Sequence, residues 1–181
     1  MSTVPQEISK ETVFGWFQHA ILDRQNDVLP FFREKGGWEN CFKLWMSGQL
    51  RQLPGHPEVR CEQHIYGNAR EAVDLLVETR TVPPQFICIE LKAESFFHSA
   101  KQERVNAEHV FFQSFENDLR KLRRVQLQNA LGLAVAICIT GSAAGPLETR
   151  GYQSEVLSLN DRTNVTIFIS DCDRIASDTG W

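Results

Sequence analysis

This chain has no apolar run near the ~20 residues that would span a bilayer, and its start, Met1-Ser2-Thr3-Val4-Pro5-Gln6-Glu7, has neither a basic opening nor an apolar core. Neither a membrane span nor a secretory signal is therefore expected. Cysteine is sparse, odd in number and widely spaced: Cys41, Cys61, Cys88, Cys138 and Cys172 are never closer than twenty residues. That spacing excludes a zinc knuckle and argues against a disulfide frame, so buried, reduced thiols and a cytoplasmic setting are expected. The five histidines, at 19, 56, 64, 98 and 109, include no pair with metal-site spacing on one helix or hairpin. Gly141-Ser142-Ala143-Ala144-Gly145 lacks the lysine that a phosphate-binding loop needs. No repeat or low-complexity tract interrupts the 181 residues, which suit one domain with a real core. Lysine and arginine are outnumbered, 19 to 23 acids, for a net charge of −4. A nucleic-acid protein is usually basic, but the distribution of charge matters more than its sum.

What is present is a pair of strand-like runs, each interrupted by an acid. Glu71-Ala72-Val73-Asp74-Leu75-Leu76-Val77-Glu78 is followed, past Pro83-Pro84, by Phe86-Ile87-Cys88-Ile89-Glu90-Leu91-Lys92. Residues two apart in a strand share a face, so Glu90 and Lys92 point one way while Ile87, Ile89 and Leu91 point the other. Val73, Leu75 and Val77 form the buried side of the first run, with Asp74 opposite them. Paired as a hairpin, the two runs bring Asp74, Glu90 and Lys92 together. Two carboxylates suit a hard divalent cation, and an ammonium beside them can steer a water or offset charge on a phosphate.

Around these runs the periodicity predicts helices over about 9–27 (Ser9 as N-cap; Phe14, Phe17 and Ile21 on one face), 38–52 (Trp38, Phe42, Trp45 and Gln49 or Leu50) and 110–126 (Phe111, Phe115, Leu119, Leu122). Strands are predicted over about 58–66, 71–79, 86–93, 131–140 and 164–170, with a Gly67-Asn68 hairpin turn between the first two and a polar loop over 141–151. Strands, then a crossover helix, then a strand buried on both faces make an α/β protein with a mixed sheet. Residues 1–36 read as a helical N-terminal extension of a single 1–181 domain.

Asp74 sixteen residues before Glu90-Leu91-Lys92, in a strand-turn-strand setting, resembles the PD-(D/E)XK nuclease superfamily with its restriction-endonuclease-like fold. The resemblance covers roughly residues 37–140. Val73 stands where the motif has its proline. The resemblance implies catalytic Asp74, Glu90 and Lys92, and a Mg²⁺ or Mn²⁺ ion on Asp74, Glu90 and the Leu91 backbone carbonyl. The substrate would be nucleic acid, DNA ahead of RNA. Relatives often add an acid from the helix before the first strand. Here Glu39 is available for that, or for an i,i+4 surface pair with Lys43, and Trp45 stands deeper in the helix where the acid is often found. Arg120, Lys121, Arg123 and Arg124 suit phosphate contacts, or equally a solvated helix end. The alternative is the same fold without catalysis: an immunity protein or regulator binding a toxin or effector protein, for which an acidic surface is suited.

Overall fold

The protein is described by a computed structural model covering residues 7–33, 38–94 and 107–172. Among these, six strands form one mixed sheet: β1 (Glu58–Gln63), β2 (Val73–Glu78), β3 (Phe86–Ala93), β4 (Ala130–Cys138), β5 (Gln153–Asn160) and β6 (Thr163–Asp171). Their spatial order is β1-β2-β3-β4-β6-β5. Only the β3–β4 contact is parallel; the other neighbours are antiparallel. A parallel neighbour needs a crossover, and helix α4 (Ala107–Leu122) lies between these two strands in sequence.

Both faces of the sheet are covered, and alternation along the strands divides the core in two; Val73 departs from it, packing on the face opposite Leu75 and Val77 instead of beside them as expected. Leu75, Val77, Ile87, Ile89, Leu91, Leu133, Val135 and Ile137 face helices α1 (Lys10–Asp23) and α3 (Glu39–Leu50). Leu76, Cys88, Ala134, Ala136 and Cys138 face α4 and the short α5 (Gly141–Thr149). Branched residues dominate the first face and small ones the second, so α4 lies close to β4. A Cβ added at Gly132 would stand 3.3 Å from both Leu122 Cβ and Cys172 Sγ. The α4 stripe falls as its periodicity predicts, with Phe115, Leu119 and Leu122 buried. Ser9 caps α1 through its hydroxyl, which accepts from Thr12 N–H at 3.3 Å. Gln85 clamps the segment before it, accepting from Ile8 N–H at 2.8 Å and donating to its carbonyl at 2.9 Å.

The mixed α/β class and the predicted strands and helices are present, with several corrections. The first helix stops at Asp23, where Arg24 leaves helical geometry, and a single turn α2 (Gln25–Val28) and a 3₁₀ segment (Leu29–Arg33) follow. β1 ends at Gln63, and a nine-residue connection (64–72) replaces the expected tight hairpin; Gly67 is there at φ +72, but as part of a wider loop. The expected loop 141–151 is mostly helix α5. Thr140 caps it by accepting from Ala143 N–H at 3.3 Å, while Ala143, Ala144 and Leu147 are buried, so packing and a cap outweigh the glycines and Pro146. Strand β5 has no counterpart among the expected elements. It is an edge strand that buries only Leu157 and Leu159, and its polar half hides the period-2 signal. The five cysteines are free thiols, Cys88 and Cys138 buried as expected, but Cys41 is exposed. No helix among the described residues is long and apolar enough to cross a membrane.

Candidate metal and phosphate site

The last pair of the β2–β3 register is Leu75 with Ile89, and the same antiparallel register continued by one residue would set Asp74 opposite Glu90. The regular ladder stops short of that pair. Leu91 N–H donates instead to Asp74 Oδ2 at 2.8 Å, so the aspartate is fastened to the backbone between the other two motif residues. Glu90 and Lys92 follow Cys88 on the α4 face, while the Leu91 side chain is buried on the opposite side. Asp74, Glu90 and Lys92 therefore converge, together with Asp118 and Lys121, on one open cleft of about 500 Å³.

Asp74, Glu90 and Asp118 in the cleft are each met by a lysine from a different element. Lys43 of α3, itself buried, pairs with Glu62 and reaches Asp74 Oδ1 at 3.4 Å. Lys121 of α4 stands 2.8 Å from Glu90 Oε1 and donates to the Ala72 carbonyl at 2.7 Å. The Tyr66 hydroxyl, carried in by the 64–72 connection, donates to the same Glu90 oxygen. Lys92 lies 3.4 Å from both Glu39 Oε1 and Asp118 Oδ2. Asp118 Oδ2 is buried without a hydrogen-bond partner, so its contact with Lys92 is a charge pair only.

The electrostatics follow from burial. Glu90 is 2% exposed, and burial, reinforced by the Asp74 carboxylate, pushes its pKa up to about 8 despite Lys121 and Tyr66. Burial likewise lifts Asp118 to about 6, opposed by Lys92 and Lys121. Desolvation alone would lower Lys92, but Asp118, Glu39 and Asp74 outweigh it and hold the ammonium above its usual value. Lys43 is raised in the same way, its burial outweighed by Glu62 and Asp74. Tyr66 is pushed up by burial and by Glu90, so it stays a hydrogen-bond donor. Glu62 adopts a left-handed backbone at φ +54, a conformation costing a non-glycine residue roughly 1–2 kcal/mol. Such strain, here beside Lys43, is a common companion of functional sites.

The helix acid needs a correction. Glu39 is in the first turn of α3 but forms no ion pair with Lys43; it spans to the end of β3, accepting from Ala93 N–H at 3.1 Å and meeting Lys92. Lys43 turns inward because its i+3 and i+7 neighbours, Met46 and Leu50, are core residues, so α3 offers Asp74 a cation instead of a third carboxylate. Trp45 packs at the core's margin against Phe31 and Phe42. The basic run is likewise not one surface: Lys121 enters the cleft, Arg124 is held by both oxygens of Glu71 at 2.9 Å, Arg123 donates to the Cys172 carbonyl at 2.7 Å, and Arg120 to Asn117 at 2.6 Å.

Sequence reasoning missed Lys43, Tyr66 and Asp118 as site residues. Two of them carried a signal. Asp118 lies three residues after Phe115 and four before Leu122, and Lys43 three before Met46, so both interrupt apolar stripes with a charge. Tyr66 carried none, because a loop position does not announce its partner.

No protein-family model, curated protein or solved structure matches this chain. The chemistry of the cleft is therefore the ground on which function rests. Among the described residues no group of three or more His, Cys, Asp or Glu side chains is placed to hold a metal. Asp74 and Glu90 are two hard carboxylates lining the same cleft, and Mg²⁺ takes one or two of these plus water and substrate phosphate. The donor set fits that ion and does not provide a cage made of protein alone.

Proposed function

We infer that this chain is a metal-dependent phosphodiesterase acting on nucleic acid, DNA ahead of RNA, with a site of the PD-(D/E)XK type. The observation that carries the reading is Asp74 and Glu90, from the paired strands β2 and β3, with Lys92 two residues on, in one open cleft. The succession of β1-β2-β3 meander, α4 crossover and parallel β4 supports it, since the restriction-endonuclease-like fold has that order.

Asp74, Glu90 and the Leu91 carbonyl would hold Mg²⁺ or Mn²⁺, which supplies Lewis-acid polarisation of the phosphate and an acidified water. Lys92 orients that water and offsets the negative charge developing on the phosphoryl oxygens. Its two flanking acids, Glu39 and Asp118, keep it protonated for this task and fix its position. Asp74, fastened by Leu91 N–H, holds its carboxylate in place.

Incubation with plasmid, single-stranded DNA and RNA in Mg²⁺ or Mn²⁺ tests this. Wild type should cleave, and Asp74→Ala should lose ~10²-fold or more of the rate, the scale of a positioned electrostatic group. No cleavage of any substrate with either ion overturns the enzyme reading. One observation then favours the second reading, a non-cleaving binding module for a protein such as a toxin: Asp74, Glu90 and Asp118 are all matched by lysines in the resting site. That reading expects no Ca²⁺ binding by calorimetry, and partner binding that survives Asp74→Ala.

A further inference from the structure

Two cations of the cleft stand apart from the rest: Arg70 is exposed on its rim, and Lys121 lies deeper in the wall, against the motif acid Glu90. Arg124 is committed to Glu71, and Arg123 and Arg120 to the Cys172 carbonyl and the Asn117 side chain. Lys92 is shared between Glu39 and Asp118, and Lys43 between Glu62 and Asp74. Among the described residues the one acid within ion-pair distance of Lys121 is Glu90. Its remaining contacts are the Ala72 carbonyl at 2.7 Å and the face of the Tyr66 ring, 5.1 Å away. With 19% of its side chain exposed, it forms part of the cleft wall.

Glu90 Oε1 therefore already carries two donors, the Lys121 ammonium and the Tyr66 hydroxyl. A divalent cation on Asp74 and Glu90 would take the same negative charge and set a like charge against Lys121. Two cations do not share a single buried carboxylate without repulsion. Resting on the phosphodiesterase reading, we propose that Lys121 is the residue that binds the substrate phosphate, and that Glu90 withholds it until a divalent cation displaces it. The ammonium keeps the Ala72 carbonyl as an anchor and turns its freed charge into the cleft on a flexible four-carbon stem. Metal and phosphate then bind with positive, reciprocal coupling. With Glu90 ionised, the metal-free protein holds nucleic acid weakly, because the Lys121 charge is paired with that carboxylate at 2.8 Å. This assigns a distinct role within the basic run: Lys121 binds, while Arg123 and Arg124 tie α4 to its neighbours.

The test measures binding of a short DNA duplex by fluorescence anisotropy at about pH 9, where Glu90 is ionised, with Ca²⁺ replacing Mg²⁺, at metal concentrations shown by calorimetry to saturate each variant. Lys121→Met should weaken duplex binding about tenfold with Ca²⁺ and less than twofold without it, one charge-assisted phosphate contact being worth about that much. An equal cost under both conditions, or none under either, overturns the proposal. A second variant keeps Lys121 and so does not depend on Lys121→Met folding. Glu90→Gln releases the ammonium without metal and should strengthen metal-free duplex binding about tenfold on the same reasoning; no gain overturns it. Failure of wild type to bind Ca²⁺ removes the phosphodiesterase reading and this one together. Ca²⁺ binding with an unchanged Lys121→Met removes only this one.

Discussion

Replacing Glu90 by Gln should make the protein more stable, and increasingly so as the pH rises. Its carboxyl, 2% exposed, is raised from an ordinary 4.5 to about 8 by burial and by Asp74. Between those values the folded state keeps a proton that the unfolded chain releases, so folding stability falls with rising pH. The penalty is absent below the unfolded value, grows between the two, and is complete above the folded one. Each pH unit crossed between them removes about 1.4 kcal/mol, which sets a ceiling of roughly 5 kcal/mol. Gln, a neutral counterpart of the protonated acid, removes that penalty, and the attraction of Lys121 is already contained in the raised value. The expected net gain therefore approaches at most roughly 5 kcal/mol near pH 9 and falls to about 1 kcal/mol or less near pH 5. Asp118, raised by burial in the same direction, is present in both proteins and cancels from the difference. Urea unfolding of the two proteins at several pH values reads this directly, provided the m-values agree. A difference that stays constant from about pH 5 to 9, or that turns against Gln as pH rises, would refute the reasoning. It would mean that Lys121 and Tyr66 keep Glu90 ionised throughout.

Two further outcomes follow from the same geometry. Lys92→Met should keep the fold, since Asp118 can take up a proton once its cation is gone, yet lose ~10²-fold or more of the cleavage rate; circular dichroism and a nuclease assay separate the two, and a rate that falls only in step with Tm would make Lys92 a structural residue. Gly132→Val should cost about 1–3 kcal/mol by overpacking β4 against α4, with Ca²⁺ binding intact; unchanged Tm would show that Leu122 and Cys172 can give way.

Much of this arrangement was legible in the chain itself. The Phe86–Ala93 strand stands out because period-2 alternation and bounding prolines agree, and α4 because Phe115, Leu119 and Leu122 repeat at helical spacing. The arrival of Asp74 and Glu90 in one cleft follows from the antiparallel pairing of their strands. Strand β5 and helix α5 were not legible, because their signals depend on neighbours: β5 buries two leucines only once β6 is beside it, and α5 forms where α4 covers its alanines.

The ionic state of the site belongs to tertiary structure altogether. Lys43, Tyr66, Asp118 and Lys121 reach the motif from α3, a connecting loop and α4, at separations of 24 to 31 residues along the chain for each partnered pair. Local periodicity reports which face a side chain occupies, but not which charge will stand across from it. The strands that carry the three motif residues to one cleft were set by the pattern of the chain. Glu90's raised pKa and the lysine that stands against it were decided by packing, because only burial removes the water that would otherwise keep every one of these groups at its ordinary charge.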